Sequence, residues 1–217
     1  MKESSYKAGT SYKALLGTIV ALWFAFSLTA SVLHVFATPP GRPPIPVGLA
    51  ASLPIVLFLG WFAASPRFRE FVLSLDVSTL TFLQSWRIAG LTFLALYTYH
   101  ILPGVFALPA GWGDIFIGAT APLAALWLAS PERRGLFILW QVLGMIDLVT
   151  AVSSATTAAI TRPGGIGPDA MAVLPLSLIP TFGVPLFLIF HIICIAQASR
   201  WKEPLELRHG SSLTASA

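Results

Sequence analysis

Long apolar runs separated by short polar segments are the dominant pattern along this chain. Each run is close to the roughly 20 residues that an α-helix needs to cross the hydrocarbon core of a bilayer. A helix satisfies every backbone polar group within its own segment, so each run is expected to be helical. The pattern predicts six membrane-spanning helices, at residues 14–37, 47–64, 77–99, 112–129, 135–157 and 172–198.

The segments between the runs contain residues that interrupt helices. "TPPGRPPIP", from Thr38 to Pro46, cannot be helical, because its prolines lack amide donors and disfavour helix in the residue before them. "SPRFRE", "SPERRG" and "TRPGGIGPD" separate the later runs in the same way. The predicted fold class is therefore an all-α polytopic bundle. Its predicted parts are an N-terminal segment (1–13), a six-helix transmembrane domain (14–198) and a mobile tail (199–217).

Composition supports the membrane assignment. Of the 217 residues, 56% are hydrophobic and 10% are charged, and the mean hydropathy of +0.80 is far above that of a soluble domain. Six spans leave no room for a separate soluble domain, so the lipid bilayer is the expected environment of the whole chain. The single cysteine, Cys194, lies in an apolar run and excludes an internal disulfide.

The basic residues are distributed unequally between the two ends of the predicted bundle. Two of them, Arg42 and Arg162, fall on one side. The others, Arg87 apart, fall on the opposite side: Lys2, Lys7, Lys13, Arg67, Arg69, Arg133, Arg134, Arg200, Lys202 and Arg208. Cytoplasmic loops carry the excess of Lys and Arg, so both termini are predicted to be cytoplasmic in a multi-pass inner-membrane protein. The pI of about 9.6 follows from these loops, and nucleic acid is not a predicted partner.

Two charged residues fall deep inside predicted spans. Arg87 lies about ten residues into the third span and Asp147 about twelve into the fifth, both counted from the cytoplasmic side. At 1.5 Å per residue, both reach the middle of the membrane. A charge at the centre of a spanning helix costs roughly 2.5 to 3.5 kcal/mol, so both side chains are expected to face the bundle interior.

In each of these two spans, polar or small residues lie on the same helix face as the charged residue and form a stripe along it. The stripe of the third span contains Gln84, Arg87 and Thr98, with Thr81 beside it, and that of the fifth contains Gly144, Asp147, Ala151, Ser154 and Ala158. We predict that Arg87 pairs with Asp147 and that Gln84 supplies a further hydrogen bond. The pair either binds a substrate or ion, or only fixes helix packing.

Asp114 and two histidines are further candidate binding residues. Asp114 is expected at the outer start of the fourth span, where it either caps the helix or lines a vestibule with Trp112, Tyr97 and Tyr99. His34 and His100 lie near the outer ends of their spans and could together ligate a haem, with Ser27, Ser31 and His34 on one helix face. No haem-attachment or zinc motif accompanies them, so the predicted set includes no cofactor and no metal.

The sixth span contains Pro175, Pro180, Gly183 and Pro185, so a straight helix is not expected. Transporters use such broken helices to present backbone groups to ions and substrates. The alternatives are a kinked packing helix, or an interfacial segment followed by a short span that begins near Pro180.

The leading functional hypothesis is a small carrier or permease in which Arg87 binds or gates an anionic group and Asp147 exchanges a proton. Six spans are few for alternating access, so a carrier would form a homodimer. An intramembrane enzyme acting on a lipophilic substrate, with Asp147 or Asp114 as general acid, is the second hypothesis. A non-catalytic accessory subunit is the third. A path from solvent to Arg87 favours a carrier, a closed pocket open sideways to lipid favours an enzyme, and the absence of both favours an accessory subunit.

Overall fold

The computed structural model describes residues 2–201, and in that range the chain is all-helical, without β-strands. Five helices are long and apolar enough to cross a membrane, which indicates a membrane protein. These five are Ala14–Val32, Ile45–Ala64, Gly104–Leu128, Pro131–Thr161 and Ile179–Ala198. The prediction of a mobile tail falls largely on residues 202–217, which lie outside the described part of the chain.

The first two long helices follow the predicted apolar runs. Helix α1 (Lys2–Val32) and helix α2 (Ile45–Ala64) are separated by the proline-rich segment, and Pro46 lies in the first turn of α2, where its missing amide costs no hydrogen bond. A short helix, α3 (Pro66–Val72), follows at once, with the Ser65 hydroxyl accepting a hydrogen bond from the amide of Phe68. Helix α3 connects α2 to the third predicted span.

The third predicted span is helical from Val77 to Thr98, but it is not one α-helix. Helix α4 (Val77–Phe82) is followed by a 3₁₀-helix (Leu83–Gly90) and then by helix α5 (Leu91–Thr98). We call Leu83–Gly90 the 3₁₀ segment. It lies directly on the next long helix: a Cβ added to Gly118 would meet the backbone of Ile88. The 3₁₀ segment therefore packs with its backbone against that helix. The sequence pattern did not predict this departure from α-helical geometry.

Asp76 begins this region by capping α4. Its carboxylate accepts hydrogen bonds from the hydroxyl of Thr79 at 2.5 Å and from the amide of Thr79 at 2.7 Å. These two hydrogen bonds hold the pKa of the exposed Asp76 carboxyl below its usual value, the hydroxyl contributing most. The cap explains why the chain becomes helical again directly after the turn that follows α3.

The next two long helices extend beyond their predicted ends. Helix α6 (Gly104–Leu123) begins eight residues before the predicted start at residue 112, and a π-helical turn (Ala124–Leu128) continues it. The predicted start was wrong, and Pro109, which precedes it, lies inside the helix. Helix α7 (Arg134–Thr161) ends at Arg162, whose left-handed backbone (φ 44°) stops the helix.

The last predicted span is shorter than expected. Residues 174–177 form turns, a π-helical turn covers Ile179–Gly183, and helix α8 (Val184–Ala198) completes the segment. The regular part therefore begins near Pro180, as in the second structural alternative for this run. Three connections, at residues 33–44, 99–103 and 162–178, make up what we call the loop-rich end of the bundle.

Apolar clusters lie on both sides of the middle of the bundle. Near the loop-rich end, Phe93 and Phe106 pack against Ala158 of α7. Toward the opposite end, Phe68 of α3 is buried with Phe137 and other apolar residues, and the Phe68 and Trp61 rings stack with centroids 4.0 Å apart. Buried polar residues of the 3₁₀ segment, α7 and α8 lie between these clusters.

Candidate functional site

Arg87 is the centre of the buried polar region. Its side chain is 2% exposed, and the 3₁₀ segment presents it to α6 and α7. The guanidinium Nε donates to Asp114 Oδ1 at 2.7 Å, and Nη2 donates to Asp147 Oδ2. The predicted Arg87–Asp147 pair is therefore present, and a second carboxylate joins it. We call Arg87, Asp114 and Asp147 the Arg87 triad.

The Arg87 triad has unequal charges. One guanidinium faces two carboxylates, so with both acids ionised the group carries one unmatched negative charge. An unmatched charge in a low-dielectric interior is costly unless a proton, a cation or water compensates it. The carboxylates are also the more accessible members, with side chains 14% exposed for Asp114 and 13% for Asp147. The arrangement can therefore take up a positive charge.

A histidine of the last predicted span, which we call the sixth segment (residues 173–198), completes the guanidinium's surroundings. Nη1 of Arg87 is 3.2 Å from the Gly144 carbonyl and 3.2 Å from Nε2 of the fully buried His191. A guanidinium can only donate, so His191 Nε2 must accept and the ring proton lies on Nδ1. That Nδ1 donates to Gln141 Oε1 at 2.5 Å. The imidazole is therefore held neutral, in one tautomer.

The hydrogen-bond chain continues away from the Arg87 triad in one direction. The Gln141 side-chain amide donates to the Thr81 hydroxyl at 3.0 Å, and that hydroxyl donates to the Val77 carbonyl at 2.8 Å. Each polar side-chain atom of Gln141 and Thr81 has a hydrogen-bond partner, so the chain orients His191. Its role is to position the imidazole.

Glycines allow the charged side chains to reach one another. A Cβ added to Gly144 would meet the His191 ring, and one added to Gly113 would meet the Asp147 carboxylate. Gly90 gives a similar close approach, because a Cβ there would meet the Cβ of Asp114. The site therefore depends on the absence of side chains at three positions on three different segments.

Gln84 does not join the Arg87 triad, so its predicted hydrogen bond to the pair is wrong. It is fully buried and donates through Nε2 to the Phe187 carbonyl at 3.1 Å. Its Oε1 has no hydrogen-bond partner among residues 2–201. Thr98, predicted on the same stripe, is exposed. Each 3₁₀ residue turns the chain by about 120° instead of about 100°, so the stripe drifts away from Thr98 after Arg87.

Asp114 does not cap a helix, because it lies in the middle of α6 rather than at its start. The predicted vestibule aromatics do not surround it either. Trp112, Tyr97 and Tyr99 have exposed fractions of 63%, 38% and 75%, and they line neither cavity described below. Asp114 instead connects the Arg87 triad to open space inside the bundle.

Two cavities meet at Asp114. The main cavity, of about 410 Å³, lies at the loop-rich end among the 36–44 loop, α2, α7 and the 168–173 loop, and Asp114 contributes to its wall. Most of its lining side chains are apolar. The side cavity, of about 180 Å³, is lined by Trp86, Arg87 and Asp114 together with residues 178–187. The buried site is therefore adjacent to partly open space on two sides.

Charged residues also occur in the loops around the main cavity. The exposed Arg42 and Asp169 contribute to its lining. Asp169 is paired with Arg162, which donates to both carboxylate oxygens at 2.9 and 2.8 Å. These hydrogen bonds raise the pKa of the Arg162 guanidinium above its usual value. The pair closes the 162–169 loop.

The candidate histidines lie apart from the Arg87 triad. His34 and His100 are exposed, and each has left-handed backbone, with φ of 53° and 56°, just after the end of a helix. Neither lines the cavities that Asp114 adjoins. Ser27 and Ser31, predicted on the His34 face, are buried against the 177–181 region instead. In residues 2–201, no group of three His, Cys, Asp or Glu could hold a metal ion.

Sequence reasoning left His191, Gln141 and Thr81 out of the predicted site. Two features of the sequence could have identified His191 and Gln141. Gln141 precedes Gly144 and Asp147 at three-residue steps on one helix face, and His191 is a lone polar side chain among eight apolar neighbours, "LFLIFHIIC". Nothing in the local sequence indicates that α7 and α8 bring them together.

Comparisons with known proteins place the chain in a family. Residues 44–198 match the model of a family described as a domain of unknown function (DUF8737). No curated protein matches the chain, and no solved structure does. The matched range contains every residue of the Arg87 triad and of the His191 hydrogen-bond chain, whereas α1 lies outside it.

Proposed function

We propose that this chain, which belongs to the family DUF8737, is a small membrane carrier that binds its substrate in the main cavity and couples substrate movement to the Arg87 triad. The observation that supports this proposal is the position of Asp114. This residue lines the main cavity and is also an ion-pair partner of Arg87. A substrate in the cavity can therefore act directly on the buried charges.

In this proposal the chain crosses the inner membrane six times. Five of the crossings are the long helices, and the helical region from Val77 to Thr98, third along the chain, supplies the remaining one. The excess of Lys and Arg at the end opposite the loop-rich end orients both termini toward the cytoplasm. The main cavity would then open toward the extracytoplasmic side.

The broken sixth segment is the proposed moving part. Ile179 and Val184 contribute to both cavities, and a π-helical turn separates α8 from the turns before it. Irregular turns inside membrane helices are frequent where transporters bind and gate their substrates. Movement at this turn would change access to Asp114 while α8 keeps His191 in place. A homodimer remains part of this proposal, because one small bundle has few elements to rearrange.

The side cavity supports a second hypothesis, an intramembrane enzyme. Trp86, with 73% of its surface exposed, lies at this cavity and on the outer surface of the bundle. A lipophilic substrate could reach Asp114 sideways and meet a carboxyl group able to act as general acid. Recovery of the substrate chemically unchanged would favour the carrier, whereas a changed product would favour the enzyme.

Proteoliposomes test the carrier proposal. Wild-type protein is mixed with an equimolar panel of small lipophilic amines, alcohols and carboxylic acids, and the lumen is sampled over time by mass spectrometry. We expect one chemical class to enter unchanged and faster than in empty liposomes, and Asp147→Asn to abolish the difference. Asp76→Asn is the matched control, because it removes a carboxylate that caps α4 and retains a side chain able to cap.

The carrier proposal is wrong if no class enters faster than in protein-free liposomes. It is also wrong if Asp147→Asn folds and transports at the wild-type rate, because the Arg87 triad would then have no part in translocation.

A further inference from the structure

Asp114 has hydrogen-bonding capacity that the protein does not use. Its Oδ1 accepts from Arg87 Nε at 2.7 Å. Its Oδ2 receives no hydrogen bond from any residue in the 2–201 range, yet the side chain lines both cavities. A carboxylate has room for about four hydrogen bonds. A donor that enters the main cavity therefore meets an acceptor with free capacity at the cavity wall.

Charge decides which kind of donor suits that position. Four of the five N–H groups of Arg87 are directed at protein acceptors: one at Asp114, one at Asp147, one at the Gly144 carbonyl and one at His191. An anionic ligand would thus find one free guanidinium N–H and two carboxylates. A cationic ligand would bring the two acids and the one guanidinium to charge balance. The geometry favours a cation over the anionic group expected from the sequence.

The volume and the walls of the main cavity indicate the size and polarity of the rest of the ligand. Its volume of about 410 Å³ is within the range of cavities that hold small organic molecules. Side chains of Phe93, Phe106, Leu148 and Val152 provide an apolar surface around Asp114. A bare metal ion or a polar cation would leave this surface unused, whereas an apolar body would fill it.

We propose that the main cavity binds a lipophilic monoamine, with the protonated amine on Asp114 and the apolar body against α6 and α7. In the empty site a proton on one of the two carboxylates would balance the charge, and the amine replaces that proton, so one H⁺ leaves for each ammonium group that binds. This inference deepens the proposed function by naming its substrate class.

Each segment packed around Asp114 contributes charged or titratable groups that would influence this exchange of a proton for an ammonium group. Arg87 of the 3₁₀ segment, Asp147 of α7 and His191 of α8 surround the Asp114 carboxylate directly or through the guanidinium. At the loop-rich end, Arg42 is exposed and Asp169 is paired with Arg162. Water screens those outer charges, so the inner carboxylates dominate the choice of ligand.

Matched probes test the charge preference without any assumption about transport. Isothermal titration calorimetry on the purified wild-type protein in lipid nanodiscs compares 4-phenylbutylamine, 4-phenylbutanol and 4-phenylbutanoic acid. The amine is expected to bind at least about tenfold more tightly than the alcohol, and the acid more weakly than both. Repeating the amine titration in buffers of different ionisation enthalpy should reveal close to one proton released per amine bound.

Variants locate the binding site. Asp114→Asn should remove the preference for the amine over the alcohol, whereas Val152→Phe, which fills part of the main cavity, should weaken both. Asp76→Asn is the control, because its carboxylate caps α4 and lines neither cavity. If Asp114→Asn fails to fold, the probe series on the wild type and on Val152→Phe still decides the question.

The inference is overturned if the alcohol or the acid binds as tightly as the amine, if the amine does not bind, or if amine binding is unchanged in folded Asp114→Asn. Its failure can be told from failure of the carrier proposal. Amine binding without entry into proteoliposomes rejects the carrier alone. Transport of another chemical class without amine binding rejects the inference alone.

Discussion

Two buried polar clusters in this bundle differ in charge and in access. The hydroxyl cluster consists of Ser27, Ser31, Ser177 and Thr181 and joins α1 to the sixth segment. Ser177 donates to the Ser31 hydroxyl at 2.8 Å, Ser31 to the Ser27 carbonyl at 2.7 Å, and Thr181 to the Ser177 carbonyl at 2.7 Å. The cluster is neutral, each of its hydroxyls donates to a partner, and its residues line neither cavity.

The Arg87 triad has the opposite properties. It has more negative than positive charge, its carboxylates are partly accessible, and Asp114 lines two cavities. Polar residues in a membrane protein are therefore not equal evidence of function. A hydroxyl cluster with all donors satisfied joins helices. Unmatched charge beside a cavity can respond to a ligand or a proton.

The largest effect is expected at Arg87. Arg87→Met leaves two partly buried carboxylates without a counter-charge, which should lower the free energy of unfolding by about 3 to 5 kcal/mol and reduce accumulation in the membrane. The triple variant with Asp114→Asn and Asp147→Asn should recover much of that loss, because no charge is left unpaired. Thermal unfolding of the purified variants measures both. A triple variant no more stable than Arg87→Met would show that the unpaired carboxylates are not the cause of the loss.

A smaller effect is expected from closing the space beside the site. Gly144→Ala places a methyl group against the His191 ring and should lower the free energy of unfolding by about 1 to 3 kcal/mol. Gly48→Ala in α2 is the control, because a Cβ there meets no atom within 4 Å, and it should leave stability unchanged or raise it. Equal unfolding temperatures for the two variants would mean that the close approach of α7 and α8 is not required.

The smallest effect is expected in the hydroxyl cluster. Ser177→Ala should cost about 0.6 kcal/mol, the average for a hydrogen bond between membrane helices, and a double-mutant cycle with Ser31→Ala should return a coupling of that size. Amine binding should not change, since neither residue lines a cavity. A loss of several kcal/mol, or altered amine binding, would remove the distinction between the two clusters.

Local sequence was sufficient for the class of fold and for part of the site. The apolar runs and prolines identified the long helices, because in lipid a segment must satisfy its own backbone hydrogen bonds. The depth of Arg87 and Asp147 was enough to predict their pairing, since a buried charge needs a partner at the same depth. The ends of α6 and of the sixth segment were missed, because a proline can lie inside a membrane helix or end one.

Tertiary structure alone decided the composition of the site. Asp114 resembled a cap in the sequence and became the second counter-ion only because α6 starts at Gly104 and packs on the 3₁₀ segment. His191 joined because Gly144 leaves space for its ring. Such contacts depend on how the helices pack against one another, which the hydrophobic pattern of a single helix does not encode. The unmatched charge and the cavity beside it arise from that packing.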